Sequence, residues 1–440
     1  MANGHPSLQV LMNGYRVGIL DRRRGGDLVL RYDPEWQKSP GGRPVSLSMP
    51  LGREVHRGDV VYNFIDNLLP DNPDIRQRIQ RRFACPTGHP FDLLCAVGAD
   101  CVGALQFAAD GAVVPDVRTV RAEHLDNRQI EKLLRGYLDA PLGMAREHDD
   151  FRISLAGAQE KTALLLREGK WHLPGGSTPT SHILKLPIGL LRSQGIDLTD
   201  SCENEWLCMQ CAAAFGLPVA DARLNRFADI PTLVVTRFDR QWAADGTWLM
   251  RLPQEDMCQV MGCSPGLKYE SDGGPGIIAI LELLSRSQSP RQDQQAFLKA
   301  QVLFWLLAAI DGHGKNFSIR LLPGGGFSLT PLYDILYAHP LVARRHLSAH
   351  KIKMAMALQG GRKKYYSFRQ IRSRLFLTTA RRAGVPVAVA RGCVEEMFDR
   401  IESAVDAVAG RLPGDFPAQV ADSVFTGMRK VRDRAASPME

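Results

Sequence analysis

The chain has 440 residues, with an apolar fraction of 45% and a charged fraction of 23%, both close to the averages for globular proteins. This length can form two or three domains with a sizeable core. The first residues lack the basic and apolar regions of a secretory signal. The most apolar run, 302–310, is too short to cross a bilayer and is predicted to be a buried core helix. Together these features predict a soluble cytoplasmic protein and argue against secreted and membrane-spanning classes.

The formal net charge is +8, from 55 basic and 47 acidic residues, and it is unevenly distributed. The segment 335–394 contains thirteen Lys and Arg residues and no Asp or Glu, so the rest of the chain has a net charge of about −5. A one-signed stretch of this length is typical of surfaces that meet phosphate groups. A basic surface that meets an acidic protein is the alternative.

The nine cysteines are an odd number scattered along the chain, which predicts reduced thiols. Cys208 and Cys211 form a CxxC pair, a spacing that also occurs in zinc and redox sites. The sequence has no second Cys or His pair at metal-ligand spacing, and the CxxC pair falls within a predicted helix. Packing inside that helix is therefore the favoured interpretation.

The first hundred residues are predicted to be rich in β-strands. Two apolar runs flank the Asn-Gly pair at 13–14, a strong signal for a tight hairpin turn. The segments 27–33 and 44–51 continue the strand pattern. One helix is expected to begin near Pro73, with Asp74 close to the positive end of the helix dipole.

The pattern changes from about residue 150. The segment 151–166 predicts a strand, a turn of small residues and a second strand, and 182–187 predicts another short strand. A helix follows Asp200, which forms a plausible capping pair with Glu203. The segment 232–239 predicts a buried strand, and the chain beyond residue 250 becomes mostly helical. This order predicts an α+β chain with two lobes, an arrangement that places a ligand in the cleft.

The segment AAIDGHGKNFSI, directly after the apolar helix, indicates the chemistry. Asp311 and Asn316 have the D-x-x-x-x-N spacing of a kinase catalytic loop, in which the carboxylate accepts the proton of the substrate hydroxyl and the amide oxygen binds Mg²⁺. Asp334 follows where kinases have a second metal-binding carboxylate. Each residue alone could be a turn former or a cap. Their order and spacing together favour phosphoryl transfer.

Upstream residues fit the same interpretation. Lys185 lies on a predicted strand, and Glu205 lies on the following helix, with Glu203 as a rival. Kinases pair such a lysine with a glutamate beside the nucleotide phosphates. The small-residue turn 156–159 allows backbone N–H groups to approach a phosphate, and Lys161 adds positive charge.

The strand that ends at Phe238 is predicted to be the hinge, where backbone groups bind adenine and the Phe238 ring packs on it. A core position for that ring is the alternative. His313 is either a support for the metal or phosphate or a structural histidine. The candidate ATP-binding residues are Ala156, Gly157, Ala158, Gln159, Glu160, Lys161, Lys185, Thr236, Arg237, Phe238, His313, Lys315, Asn316, Tyr333 and Asp334.

Five motifs resemble the HipA family: NFIDNLLPDNPDIR, RISLAGAQEKTALL, LPQEDMCQ, KYESDGGPGI and DGHGKNFS. The resemblance covers nearly the whole chain. It implies a two-lobed fold similar to a protein kinase, with an added N-terminal β-rich subdomain and an all-helical C-terminal lobe. The implied division places the N-terminal subdomain at 1–110, the nucleotide-binding region at 111–240, and the helical lobe with the catalytic loop and basic surface at 241–440.

The resemblance also implies roles for individual residues. Asp311 would be the catalytic base, supported in catalysis by Asn316 and Lys185, and Asn316 and Asp334 would bind Mg²⁺. ATP would be held by Lys185 and by the turn 156–161. Thr236 stands where some relatives have a glutamate, a difference of little consequence if adenine is held by backbone groups.

Ser154 would be an autophosphorylation site. A phosphate there adds nearly two negative charges beside the phosphate-binding turn, so it should repel ATP and inactivate the kinase. The alternative is an ordinary hydroxyl at the end of a strand.

The resemblance further implies a toxin held by a small DNA-binding antitoxin of the HipB type, and the two together would repress their own operon. The implied protein substrate is glutamyl-tRNA synthetase, whose phosphorylation stops translation and promotes dormancy and persistence. The complex with antitoxin and operator DNA would be associated with the nucleoid. Arg381 and Arg382, near a predicted helix end, are the candidate phosphate contacts to that DNA.

Other classes of protein share some of these features. A small-molecule phosphotransferase would use the same catalytic loop, but the basic stretch and Ser154 beside Arg152 favour protein substrates. A catalytically idle DNA-binding corepressor is a second rival, although the chemical residues are all present. A metal hydrolase built on the Asp-Gly-His triplet is the weakest, because the sequence offers no second cluster of ligands.

Overall fold

The structure is a computed structural model that describes residues 6–139, 161–191, 196–344, 346, 348 and 350–436. The chain forms two compact units. The first consists of the residues up to Leu186 together with Asn225–Gly266 and Ile319–Phe327. The second consists of Pro187–Leu224, Leu267–Ser318 and the chain from Ser328 onward.

The described residues form twenty strands and fourteen α-helices. The strands are β1 (Ser7–Met12), β2 (Tyr15–Arg22), β3 (Leu28–Tyr32), β4 (Val55–Arg57), β5 (Leu105–Ala109), β6 (Ala122–His124), β7 (Lys161–Arg167), β8 (Lys170–Pro174), β9 (His182–Lys185), β10 (Gly189–Leu191), β11 (Ile196–Leu198), β12 (Ala222–Phe227), β13 (Ile230–Thr236), β14 (Arg240–Trp242), β15 (Leu249–Arg251), β16 (Gln254–Asp256), β17 (Ser318–Leu321), β18 (Phe327–Leu329), β19 (Lys353–Gly360) and β20 (Lys363–Ser367).

The helices are α1 (Pro34–Lys38), α2 (Asp59–Asn67), α3 (Pro73–Arg82), α4 (Pro90–Val97), α5 (Asn127–Asp139), α6 (Ser201–Ala214), α7 (Met257–Val260), α8 (Ile277–Leu284), α9 (Pro290–Leu307), α10 (His339–Ala343), α11 (Ser373–Arg382), α12 (Val387–Asp399), α13 (Ile401–Ala409) and α14 (Ala418–Ala436). None of these helices combines the length and the apolar character needed to span a bilayer.

An antiparallel sheet in the order β4-β3-β2-β1-β5 forms the centre of the N-terminal part of the first unit. The predicted hairpin is present, because Asn13 and Gly14 both have a positive φ, as a tight turn between β1 and β2 requires. The segment 44–51 is not a strand, and this prediction was wrong: Ser46 and its neighbours form a turn. The region also contains α1 to α4, so it is less β-rich than predicted. Helix α3 begins at Pro73 as expected, with Asn72 as its cap.

A second sheet in the first unit has the strand order β12-β13-β9-β7-β8-β6. Strands β7, β9 and β13 fall where the sequence predicts them. In the antiparallel pairing of β7 with β9, Lys161 lies directly opposite Lys185. Opposed residues of this kind project from the same face of a sheet with their Cβ atoms about 5 Å apart. The register therefore brings two positive charges together.

The second unit is built mainly from helices around α9, whose side chains are almost all buried from Phe297 to Leu307. Helices α8, α11, α12 and α14 pack against α9. The predicted helix after Asp200 is present as α6, and Asp200 occupies its N-cap position, but the Asp200 side chain makes no capping hydrogen bond and pairs with Arg344. The hairpin β19–β20 was not predicted. Cys208 and Cys211 are both buried in α6, and burial raises the pKa of the Cys211 thiol to about 12, so that thiol is neutral.

A cluster of charged side chains is buried in the first unit. Asp100 accepts hydrogen bonds from the guanidinium groups of Arg237, Arg240 and Arg251, and Arg237 and Arg240 also contact the Asp239 carboxylate at 2.7 and 3.0 Å. Each of these five side chains is at most 6% exposed. The cluster joins the segment around Asp100 to the segment that follows β13.

Glu255, on β16, is a second buried acid of the first unit. Ser46 Oγ donates to Glu255 Oε2 at 2.5 Å and the Leu47 N–H donates to Oε1 at 2.8 Å. Burial raises the pKa of Glu255 to about 8, with a smaller contribution from the neighbouring Asp256 carboxylate. The folded chain therefore carries a proton on this side chain at neutral pH, whereas the unfolded chain does not.

This proton predicts how stability depends on pH. Because the folded-state pKa lies above the unfolded value, the contribution is fully present below the unfolded pKa of 4.5 and is lost as the pH rises to about 8. Glu255→Gln removes the titration, so its free energy of unfolding should fall less than that of the wild type between about pH 5 and pH 8, by on the order of 3 kcal/mol. Denaturant unfolding of both proteins at the two pH values measures the difference, and parallel pH dependences would contradict it.

Candidate active site

The segment that contains Asp311 leaves α9 through a left-handed turn. Helix α9 ends at Leu307, and Ala308 has a φ of 50°. The Ala309 N–H donates to the Phe304 carbonyl oxygen at 2.8 Å, and the Ala308 carbonyl oxygen accepts from the Ala338 N–H at 3.1 Å. These backbone bonds fix the direction in which the chain leaves the buried helix. Asp311 therefore lies four residues after the end of the buried helix α9.

Asp311 is a half-exposed carboxylate, with 52% of its side chain accessible. The Tyr269 hydroxyl donates to Asp311 Oδ1 at 2.5 Å, and His313 Nε2 lies 3.9 Å from the same oxygen. Burial lowers the pKa of the His313 imidazole, so the ring is neutral near pH 7 and its contact with Asp311 is not an ion pair. Both contacts involve Oδ1 and leave Oδ2 outside this pair of interactions.

Asn316 and Asp334 lie side by side in the second unit. Asn316 Nδ2 is 3.4 Å from the Asp334 carbonyl oxygen and 3.5 Å from Asp334 Oδ2, and Asn316 Oδ1 accepts from the His313 N–H at 3.2 Å. Asp334 has a φ of 57°, a left-handed conformation that Asp tolerates better than most residues. A parallel bridge between Val219 and Leu332 holds the chain just before it.

This pair fits the magnesium ion that a kinase loop implies. Mg²⁺ binds oxygen atoms at about 2.0 Å, so two neighbouring ligands of one ion lie about 3 Å apart. The 3.5 Å between Asn316 Nδ2 and Asp334 Oδ2 is close to that separation, so the ends of the two side chains are near enough to share one ion. In the described part of the chain no group of three or more His, Cys, Asp or Glu side chains is arranged as a metal site. Two protein ligands are typical where phosphates and water complete the shell.

The remaining predicted residues of the second unit support the loop. Tyr333 donates its hydroxyl to the Lys315 carbonyl oxygen at 2.9 Å and also bonds to Ser318 Oγ. The Lys315 and His313 side chains are buried, and His313 Nδ1 has no hydrogen-bond partner among the described residues. Tyr333 thereby joins the segment of Asp334 to the loop that contains Lys315.

The predicted nucleotide residues of the first unit have different environments. Lys185 is 6% exposed and lies opposite Lys161, so two cations converge on one face of the sheet. Thr236 ends β13, and Phe238 is partly buried. The Arg237 guanidinium donates to the Asp239 carboxylate in the buried charged cluster, and the Arg237 backbone N–H donates to the Ser181 carbonyl oxygen. The Arg237 side chain is thus engaged inside the first unit, and the predicted nucleotide contact of this residue stays a prediction.

Several predicted residues lie outside the described part of the chain: Ser154, Ala156, Gly157, Ala158, Gln159 and Glu160. Arg381 and Arg382 are described, and both are exposed in the last turn of α11. The predicted pairing of Lys185 with Glu205, which is buried on α6, stays a prediction.

Sequence reasoning missed Tyr269 as a member of the site. Its motif, KYESDGGPGI, was recognised only as a sign of the family, although it contains the tyrosine that bonds to Asp311. The two residues are 42 positions apart, so no local spacing reveals the contact.

The strand and helix order and the D-x-x-x-x-N loop define a protein with a kinase-like fold. The chain matches the family models described as HipA N-terminal domain over residues 8–108 and HipA-like C-terminal domain over residues 153–405. It is 34% identical to Y4mE of Sinorhizobium fredii over 405 residues, which is 90% of each chain. It is 27% identical to the serine/threonine-protein kinase toxin HipA of Shewanella oneidensis over 346 residues, 75% of each chain. The chain belongs to the HipA family.

A solved structure of a HipA protein has a similar fold. The chain resembles a chain of the Shewanella oneidensis complex of HipA, HipB and operator DNA, with a TM-score of 0.78 at 22% identity, covering 98% of this chain and 100% of the other. The predicted fold class, a mixed α and β chain related to protein kinases, is confirmed. The division at residues 110 and 240 stays a prediction.

Proposed function

We propose that this HipA-family chain is a serine/threonine protein kinase that transfers the γ-phosphate of ATP to a protein serine, with Mg²⁺ as cofactor. The observation that supports this most directly is the arrangement of three side chains. Asp311 lies five residues before Asn316 in one loop, and the side chain of Asn316 lies beside that of Asp334. Phosphoryl transfer needs one carboxylate at the acceptor hydroxyl and oxygen ligands for the ion that neutralises the phosphates. All three groups lie in one compact unit.

The residues of the chain divide the work in a defined way. Asp311 Oδ2 would orient the acceptor hydroxyl and take its proton as the oxygen attacks phosphorus, with ADP as the leaving group. Asn316 and Asp334 would hold Mg²⁺, which neutralises phosphate charge when bound. Lys161 and Lys185 would hold ATP phosphates, because two opposed cations on one sheet face favour a polyanion between them.

The proposal is tested by incubating the purified chain with Mg-ATP and mapping phosphate by mass spectrometry. We expect phosphate at Ser154 and none in Ser154→Ala at that peptide. The phosphorylated form should then bind ATP weakly, because the added charge is close in sequence to the predicted phosphate-binding turn. A folded chain that gains no phosphate on any residue, although it starts unmodified, would favour the idle corepressor. ATP consumption that requires a small-molecule acceptor would favour a small-molecule phosphotransferase.

The biological setting that fits this chemistry is a toxin–antitoxin module. The Shewanella oneidensis relative is named a serine/threonine-protein kinase toxin, and its HipA was solved with HipB and operator DNA. By this analogy, the partners of the present chain are a HipB-type antitoxin and operator DNA, and the complex represses the operon. The proposed substrate is glutamyl-tRNA synthetase, whose phosphorylation would stop translation and lead to dormancy and persistence. Phosphate transfer to the purified synthetase tests that target.

The exposed arginines at the end of α11 give a prediction for DNA binding. Arg381 and Arg382 have no acidic neighbour in the segment 335–394, so they should contact backbone phosphates and leave base reading to the antitoxin. Arg381→Ala with Arg382→Ala should weaken operator binding of the antitoxin complex and reduce the slope of log K against log salt by about 2. Arg226→Ala, an exposed arginine in a different segment, is the control. An unchanged salt slope in the double variant would remove these residues from the DNA contact.

A further inference from the structure

The catalytic carboxylate is held by a segment that sequence reasoning did not connect with it. We call Lys268–Gly276 the strap. Its Tyr269 hydroxyl donates to Asp311 Oδ1 at 2.5 Å, and the Tyr269 ring meets the His313 ring edge to face with centroids 5.0 Å apart. The Gly314 N–H also donates to the Lys268 carbonyl oxygen at 3.0 Å. The strap therefore touches the catalytic loop at three successive points.

The next residue fixes the strap from the other side. Glu270 accepts a hydrogen bond from the Ala357 N–H at 2.6 Å and pairs with Lys364 Nζ at 2.8 Å, and both partners belong to the hairpin β19–β20. The Glu270 side chain is only 9% exposed. At Gly276, a Cβ atom would lie 2.4 Å from Glu270 Cδ, so a larger residue there would push the Glu270 carboxylate out of its present position.

We propose that Tyr269 is a positioning residue for the Asp311 carboxylate and that Glu270 anchors it through the hairpin β19–β20. This inference rests on the proposed kinase function. Asp311 is half exposed, so its side chain would otherwise turn freely between rotamers. A hydroxyl that donates to Oδ1 selects one rotamer and points Oδ2 at the acceptor. General-base catalysis depends on this alignment, since small displacements of the reacting groups slow transfer strongly.

The test separates the maximal rate of transfer from nucleotide binding. Wild type, Tyr269→Phe and Glu270→Gln are first dephosphorylated, and the first-order rate of autophosphorylation is then measured over a range of Mg-ATP concentrations. We expect Tyr269→Phe to lower the maximal rate about tenfold, with the half-saturating ATP concentration and the thermal midpoint unchanged. Glu270→Gln keeps an acceptor for the Ala357 N–H but loses the charge opposite Lys364, so it should lower the maximal rate by a smaller factor.

A matched control distinguishes positioning from packing. The buried Tyr337 donates its hydroxyl to the Val420 carbonyl oxygen at 3.1 Å, within the same unit. Tyr337→Phe should lower the thermal midpoint and leave the maximal rate unchanged, the reverse of the Tyr269 result. Lys364→Met removes the partner of Glu270 from the hairpin side and should reproduce the effect of Glu270→Gln.

The outcomes also separate this inference from the proposed function. If the wild type transfers no phosphate, the kinase proposal fails and the inference fails with it. If the wild type is active and Tyr269→Phe has the same maximal rate, the positioning role is overturned while the kinase stands. A faster Tyr269→Phe would likewise overturn it, because the hydroxyl would then be blocking the place of the acceptor.

Discussion

Replacing Asp311 with Asn should lower the rate of autophosphorylation by about 10²- to 10⁴-fold, the range expected when a general base is removed. Asn has nearly the same shape, and it can still accept from the Tyr269 hydroxyl, but it cannot take the proton of the acceptor. The side chain is 52% exposed, so the change should leave the free energy of unfolding within about 0.5 kcal/mol of the wild-type value. Nucleotide affinity should also persist, because the proposed phosphate contacts lie on other residues.

Single-turnover transfer at saturating Mg-ATP measures this effect, with ATP affinity measured separately. Asp399→Asn makes the same chemical change on the surface of the same unit, at the end of α12, and should leave the rate unaltered. Wild-type rates in Asp311→Asn would place the base elsewhere and weaken the whole site assignment. A loss of ATP binding together with the rate would instead indicate that the loop had collapsed.

Features governed by neighbouring residues were predicted well. The Asn13-Gly14 turn follows from the positive φ that both residues accept, and α3 begins where Pro73 fits a first turn. Asp311 and Asn316 share one short loop, so their spacing alone carries the chemical signal. Asp334 is more distant in sequence, and its place after a strand pattern predicted a role beside the loop; the structure places Asp334 Oδ2 3.5 Å from Asn316 Nδ2.

Contacts between segments that are distant in the sequence could not be predicted from local patterns. The Ser46 segment alternates like a strand, yet its hydroxyl bonds to Glu255, 209 positions away, and the chain turns there. The hairpin β19–β20 lies inside the basic stretch. The stretch was interpreted by its charge alone, so its strands were not predicted. Tyr269 gave no chemical signal, because only the fold brings its hydroxyl to Asp311.

The buried charged cluster gives the largest expected effect on stability. Asp100→Asn would leave Arg237, Arg240 and Arg251 with a single carboxylate, that of Asp239. Breaking a buried ion pair by removing one partner typically costs about 3–5 kcal/mol, because the remaining charge stays in a medium of low polarity. We expect a loss of this size in the free energy of unfolding, measured by denaturant titration. Glu54→Gln, in an exposed pair with Arg31 of the same unit, should cost less than about 1 kcal/mol.

A second variant tests whether the loss comes from charge imbalance. Arg251 is the least compensated cation of the cluster: burial lowers its pKa to about 10, and its Nη1 has no hydrogen-bond partner among the described residues. Adding Arg251→Met to Asp100→Asn removes one buried positive charge, so the double variant should be more stable than Asp100→Asn alone. If the two losses simply add, the cluster stabilises the unit through individual hydrogen bonds and not through its balance of charge. Recovery would show that the segment around Asp100 is held to the segment that follows the strand ending at Thr236 by the matching of opposite charges.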